Sequence, residues 1–402
     1  MKIAERAFLI AVGLALFGAA WAVDIIPASV GTETITDTYV VVMKDEVLAA
    51  QFDSHKKWIG SLMHQRPLNS KDGEKKRGLR NTFNVAGLRG YSGTFDKETI
   101  QEIARSPDVK HIEQDAVVNA LGLISQPNAG WHLSRISHRV LPTVPEYVYE
   151  ERAGKDVHVY VLDTGIDGTN MGLRGRVIQG INTSPNGNSD VSGHGTSIAE
   201  IIGGTVHGVA KKALMVSVKI LGDTGSGSIS GIIQGLDWSI KDVEKRNIVG
   251  KAVMNMSFGG SFSAALNQAT EKAINSGIFV AASVGASNRD ASSESPVSAS
   301  GVCAVAASTM ADAPASFGSY GPIVDVYAPG VNITTRANGD RLITVSGSSY
   351  STAQVSGVAA FAIDMGVSSD KVCDTIKRLA LPSIQNPRPG TTNLLLYNGS
   401  GR

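Results

Sequence analysis

The chain has 402 residues, 42% of them hydrophobic and 44 of them glycine, with a net charge of +1 at neutral pH. That length allows a catalytic domain and a smaller companion, and the composition reads as globular and turn-rich. The balanced charge and the lack of any nucleic-acid motif argue against a polyanion partner.

The first 22 residues read as a targeting segment. Lys2 and Arg6 give a charged start, residues 7–20 are apolar, and Ala20-Trp21-Ala22 is a small-x-small cleavage site. A membrane anchor is the alternative, but the apolar run is short for a bilayer span. No later stretch is long and apolar enough to span, so a secreted protein that makes no membrane contact is expected.

Residues 23–120 form a front segment. Residues 39–43 predict a strand and 47–63 a helix by apolar spacing. Residues 71–80 form the densest basic run and predict a solvated loop rather than a binding patch. Residues 83–95 predict strands with turns at their glycines, 97–105 a helix and 109–118 a last strand. The alternation β-α-β-β-α-β predicts a small α+β domain with a split βαβ sheet.

Residues 121–402 have a different rhythm. Short apolar runs at 157–162, 214–220, 253–257, 278–283, 303–307 and 324–327 predict strands. Helical patterns follow at 228–247 and 264–276. Strands alternating with helices predict an α/β fold, a doubly wound, mostly parallel sheet covered on both faces. In such sheets the chemistry sits beyond the carboxyl ends of the strands.

Three motifs lie there in fixed order: Asp163-Thr164-Gly165, His194-Gly195-Thr196 and Ser346-Gly347-Ser348-Ser349. A serine alcohol is a poor nucleophile at its own pKa. It needs an imidazole to take its proton and a carboxylate to hold the imidazole's tautomer. Asp163 follows a predicted strand, and His194 and Ser349 open helical runs at 194–202 and 349–365. The order Asp, His, Ser differs from that of α/β-hydrolases and of chymotrypsin-like proteases. No Gly-x-Ser-x-Gly elbow surrounds Ser349 and no His-Glu-x-x-His occurs, which disfavours a lipid or ester hydrolase and a metalloprotease. His158 and His207 read as structural.

Cys303 and Cys373 are the only cysteines. In an oxidising compartment they can join, closing a loop of about 70 residues for roughly 4 kcal/mol; two buried thiols are the alternative. Asn-x-Ser/Thr sequons begin at Asn182, Asn255, Asn332 and Asn398. Asn255 falls in a predicted buried strand and is not expected to carry sugar, whereas Asn332 and Asn398 sit among turn residues.

At these motifs the chain resembles the subtilisin-like serine proteases, and within them the secreted fungal proteinase K type. The resemblance covers nearly everything after the targeting segment. The front segment resembles the inhibitor I9-like propeptide of that family in Tyr39-Val-Val-Val-Met43, His55-Lys-Lys-Trp58, Gly90-Tyr-Ser-Gly93 and Val109-Lys-His-Ile-Glu-Gln-Asp-Ala116. Tyr160-Val-Leu-Asp-Thr-Gly-Ile166, Gly193-His-Gly-Thr196, Asn255-Met-Ser-Phe-Gly-Gly260 and Ser346-Gly-Ser-Ser-Tyr-Ser351 stand in family order. The resemblance implies a signal peptide at 1–22, an inhibitory propeptide at 23–120 and a peptidase domain at 121–402, made as a self-processed, monomeric zymogen acting on proteins or peptides.

It also implies residue roles. Ser349 is the nucleophile, His194 the general base and then acid, and Asp163 the orienting carboxylate. Ser257, Phe258 and Gly259 would pair with an extended substrate by β-strand addition, facing Ser283, Val284 and Gly285 across the first specificity pocket. A largely apolar pocket would favour bulky apolar or aromatic residues. Residues 117–120 would lie in the substrate groove until cut. Cys303 and Cys373 match a disulfide of this branch. Catalysis needs no cofactor, but Asp325 matches a structural calcium ligand, with the carbonyls of Ser300 and Val302 as partners; a solvated strand-end carboxylate is the alternative.

One departure concerns chemistry. The family places an asparagine after the Ala-Ala-Gly of its oxyanion segment, where this chain has Ala286. Loss of such a donor costs on the order of 10²–10³ in turnover in a subtilisin. The backbone N–H of Ser349 would remain, and Ser287 or Asn288 could substitute if the loop path changes. A working, slowed endopeptidase is the favoured reading; a fold that binds peptides without cutting them is its rival. Ala353-Gln354 for Pro-His, Asn170-Met171 for His-Pro and Ser348 for Thr alter packing more than chemistry.

Overall fold

The computed structural model describes residues 22–27, 34–64, 77–116 and 122–402. The chain divides into two compact units, Met1–Asn119 and Ala120–Arg402. The targeting segment up to Trp21 and residues 117–120 lie outside the described residues.

The front unit contains β1 (Ile25–Ile26), β2 (Thr34–Met43), α1 (Ala49–His64), β3 (Gly78–Val85), β4 (Leu88–Thr94), α2 (Lys97–Ala104) and β5 (Val109–Ala116). The sheet order is β1-β5-β2-β4-β3; β2 is antiparallel to both β4 and β5, and β1 runs parallel to β5 at the edge. This is the split βαβ arrangement the sequence predicts. Ile59, Ile100 and Ile103 from the helices pack on Val41, Tyr91, Phe95 and Ile112 of the sheet side. Asp96 caps α2, its Oδ1 accepting from Thr99 N at 2.8 Å. The loop expected over 71–80 ends sooner: Gly78, Leu79 and Arg80 belong to β3, because pairing with β4 (Gly78 with Thr94, Leu79 with Gly93) overrides the local charge. Residues 71–76 lie outside the described residues.

The second unit contains β6 (Leu123–Pro127), α3 (Trp131–Ile136), β7 (Glu146–Glu150), β8 (His158–Asp163), β9 (Val177–Asn182), α4 (His194–Gly203), β10 (Leu214–Lys219) and α5 (Ile229–Lys245). Then follow β11 (Ala252–Met256), β12 (Gly260–Ser261), α6 (Ala264–Asn275), β13 (Ile278–Ser283), β14 (Glu294–Ser295), β15 (Cys303–Ser308), β16 (Val326–Pro329), β17 (Ile333–Arg336), β18 (Leu342–Val345), α7 (Ser348–Asp364) and α8 (Val372–Leu379). Seven strands form one parallel sheet in the order β16-β15-β13-β11-β8-β10-β9. Successive strand residues face opposite sides. Val159 and Val161 pack with Ile198 and Ile202 of α4 and Val355 and Val358 of α7, while Tyr160 and Leu162 pack with Ile232 and Leu236 of α5 and Leu266 of α6. Burial on both faces is why these strands read as unbroken apolar runs.

Chain order reverses about β8: β9 and β10 lie to one side of it and β11 onward to the other. A crevice therefore opens beyond the carboxyl end of β8, where Asp163 is the last residue. The edge strand β9 and the hairpins β6–β7 and β17–β18 escape periodicity, since their residues are half-exposed and mix polar with apolar.

Candidate active site

His194 is the first residue of α4, after Gly193 in the left-handed region (φ 79°). The first N–H groups of a helix have no intrahelical acceptor. Here Thr164 Oγ1 accepts from Gly195 N at 3.0 Å and Asp190 Oδ2 from Thr196 N at 2.9 Å. Gly195 is required by contact: a Cβ there would stand 2.1 Å from Gly165 O. That approach sets the imidazole beside the end of β8, and His194 Nδ1 lies 2.7 Å from Asp163 Oδ1. Asp163 is fully buried, and its Oδ1 also accepts from Thr164 N at 2.7 Å.

Asp190 ties the two motifs together. Besides Thr196 N, its carboxylate accepts from Thr164 Oγ1 (2.8 Å), Gly193 N (2.8 Å) and Thr196 Oγ1 (2.6 Å). Buried Lys219, the last residue of β10, donates from Nζ to Thr164 O at 2.6 Å. Burial acts to lower the His194 pKa. The charge and hydrogen bond of Asp163, with the charge of Asp190, outweigh it, and the net shift is upward from 6.5.

Ser349 lies in the first turn of α7, where its N–H has no intrahelical acceptor. The helix is buried nearly all round, and its polar side chains bond to the sheet side: Ser351 Oγ donates to Ala328 O and Ser356 Oγ to Asn255 Oδ1. Ser349 Oγ donates to Ser257 O at 2.9 Å, and Ser257 Oγ donates to Ser349 O at 2.9 Å. The next residue, Tyr350, sets its ring 5.7 Å from the imidazole ring. Burial, then the charge of Asp163, pushes its phenol up to about 12.

Ser283 and Ser348 share a hydroxyl–hydroxyl contact of 2.7 Å, and Ser348 Oγ lies 3.0 Å from Gly285 O. Ala286 is exposed and carries no donor. Asn288, a conceivable substitute, has its Oδ1 on Arg388 Nη2 at 2.6 Å, and that guanidinium lies over the Tyr320 ring. The N–H of Ser287 is engaged by Ser319 Oγ at 3.2 Å. Phe258 is half-buried, Gly259 exposed and Val284 buried. The pocket expected to be apolar has a carboxylate beside it. Oε2 of Glu294 would stand 3.2 Å from a Cβ on Gly285 and 3.9 Å from one on Gly259.

Cys303 and Cys373 form a disulfide. The residues expected to hold calcium do not fit it. Asp325 Oδ1 accepts from Lys377 Nζ at 3.1 Å and Oδ2 from Ala304 N at 2.9 Å, so both oxygens are engaged and an ammonium stands where a divalent ion would be repelled. Ser300 gives its N–H to Glu271. Among the described residues, the one cluster of three ligand-type side chains is Asp325 with the two disulfide-bonded cysteines. Asn255 is internal; Asn182 and Asn398 have their amides engaged, on Asn186 O and Val148 O; Asn332 is exposed.

Asp190, Tyr350 and Glu294 were not singled out from sequence. Asp190 carried the one usable signal, an acidic residue four positions before the histidine that opens a helix.

The sheet order and the Asp–His–Ser sequence at its carboxyl edge define a subtilisin-like α/β protein. Residues 154–394 match the model of the subtilase family, and residues 38–120 match peptidase inhibitor I9. The chain is 46% identical over 390 residues to a subtilisin-like protease of Coccidioides posadasii, covering 97% of each chain. It is 46% identical over 374 residues to subtilisin-like protease 3 of Arthroderma benhamiae, covering 92% of this chain and 93% of that one. The solved structure of a cold adapted subtilisin-like serine proteinase matches with TM-score 0.63 and 36% identity, over 67% of this chain and 98% of the other. The chain belongs to the subtilase family of serine proteases and carries an I9 inhibitor segment ahead of its protease domain, the organisation of a zymogen. Subtilases need no cofactor for catalysis. No helix among the described residues is long and apolar enough to cross a membrane.

Proposed function

We propose that the protein is a secreted serine endopeptidase that cuts itself free of its front segment near Ala120 and then hydrolyses peptide bonds of proteins as a monomer. The observation that carries this reading is the 2.7 Å contact between His194 Nδ1 and Asp163 Oδ1 beside the first turn of α7. With Nδ1–H given to the carboxylate, Nε2 is the acceptor for the Ser349 proton. Ser349 Oγ must first leave Ser257 O, a rotation about its Cα–Cβ bond. Attack on the substrate carbonyl then gives a tetrahedral intermediate, and His194 returns the proton to the leaving amine. The Ser349 N–H supplies one oxyanion donor, and Ala286 supplies none. Turnover is therefore slowed by on the order of 10²–10³ relative to a site with both donors. Strand addition along Ser257, Phe258 and Gly259 accepts many sequences, because main-chain bonds carry the binding. Asn332 is the sequon open to glycosylation.

The second reading, a peptide-binding subtilase that does not cut, draws on Ala286 and on the Ser349 hydroxyl directed at Ser257 O. Expression of the full chain separates the two. The enzyme releases the front segment, and Ser349→Ala leaves the precursor whole. A wild-type precursor that stays intact, with Ser349 inert to a fluorophosphonate, overturns the catalytic reading.

A further inference from the structure

We infer that Glu294 makes the first specificity pocket select a cationic side chain, so that cleavage falls after lysine or arginine. This rests on the proteolytic reading above and names the substrate class for the same site.

The argument starts from two glycines. Gly259 and Gly285 stand on the facing segments 257–259 and 283–285, and lacking side chains they leave open the space between them. Glu294 Oε2 lies beside both glycines. It lies in β14, which pairs antiparallel with β12 just past Gly259: Gly260 opposes Ser295 and Ser261 opposes Glu294. A Cβ built on Gly285 would meet Glu294 Oε2 at 3.2 Å, and one on Gly259 would find the same atom at 3.9 Å. One carboxylate oxygen thus lies within van der Waals reach of both walls.

The two oxygens of Glu294 are used differently. Oε1 accepts from Arg289 Nε at 2.5 Å. Oε2, the atom at the glycines, accepts no hydrogen bond among the described residues. The Glu294 side chain is 6% exposed, while that of Arg289 is 60% exposed. Arg289 therefore covers the carboxylate from the solvent side and leaves the pocket side open. Oε2 is left free to accept, and an ammonium or guanidinium arriving there gains a charge-assisted hydrogen bond. An aromatic ring at the same place would bring apolar atoms against that oxygen and leave it unpaired. The pair with Arg289 engages Oε1 and leaves Oε2 as the acceptor for a second cation.

The test uses the self-processed full chain with peptides that differ only in the residue before the scissile bond: Lys, Arg, Phe or Leu. The expected kcat/KM for Lys and Arg exceeds that for Phe by about tenfold or more. Glu294→Gln is expected to lower the Lys-to-Phe and Arg-to-Phe ratios of kcat/KM by about tenfold. Arg289→Gln keeps the carboxylate and is expected to raise the preference for Lys, which keeps the test open if Glu294→Gln does not fold. Phe or Leu ahead of Lys in the wild type, or a Lys-to-Phe ratio unmoved by both variants, overturns the inference. A small fluorophosphonate that does not enter the pocket reports on Ser349 separately. Labelling with Phe preferred sinks the pocket inference alone; no labelling and no cleavage of any peptide sinks the proteolytic reading and this one with it.

Discussion

The two halves of the site are built differently. The half that holds Asp163 and His194 is rigid: the Asp190 carboxylate takes four hydrogen bonds, from Thr164, Gly193 and Thr196, and Lys219 holds the next carbonyl. The half that runs from Gly285 to Asp290 is mostly exposed, turns through positive φ at Gly285 and Asn288, and is steadied by Ser319 and Arg388. Proton transfer requires fixed distances, so the first half tolerates little change. Charge stabilisation and side-chain choice can be retuned one residue at a time, and residue 286 lies in that second half.

The largest expected effect comes from placing a side-chain donor at residue 286. Ala286→Asn should raise kcat by on the order of 10²–10³ with a small change in KM, read by steady-state kinetics on one peptide. No gain would mean that a donor outside residue 286 already serves the oxyanion, and the contrast between the halves would vanish.

Next in size is Asp190→Asn, in the rigid half. Thr164 and Thr196 would lose charged acceptors, and kcat should fall by about tenfold or more. A readout that packing alone would not move is the acid limb of kcat/KM against pH. His194 must be neutral to act as base, and its pKa is raised above 6.5, so the wild-type limb lies above that pH. Removing the negative charge of Asp190 lowers the imidazole pKa, and the limb should move to lower pH. A limb that stays in place would show that Asp190 only packs.

The smallest expected effect tests whether Asp325 holds a metal. With Lys377 on Asp325, chelation should leave the melting temperature unchanged within about 1 °C, by scanning calorimetry. A drop of several degrees would show that calcium displaces the ammonium.

Much of this was legible in the chain. The strands β8, β10, β11, β13 and β15 stand within a residue or so of the apolar runs, because burial on both faces leaves little room for polar residues. Their bounds, and the helices α4 and α7 that open at His194 and Ser348, put Asp163, His194 and Ser349 near one edge before any coordinates. Edge strand β9 and the hairpin β17–β18 were invisible, since half-exposed strands follow no period. The partner of Asp325 was hidden for another reason: a likeness in sequence carries the carboxylate but not the Lys377 ammonium, 52 residues away, that meets it.

What the sequence alone determined is the fold and the family to which its short motifs point, because periodicity and short motifs are local properties of the chain. Tertiary structure alone decided which groups meet: Asp190 with Thr164 and Thr196, Lys377 with Asp325, and Glu294 with Gly259 and Gly285. Coulomb and hydrogen-bond energies depend on distance in space, and residues far apart along the chain acquire those distances only when the sheet and its helices close around them.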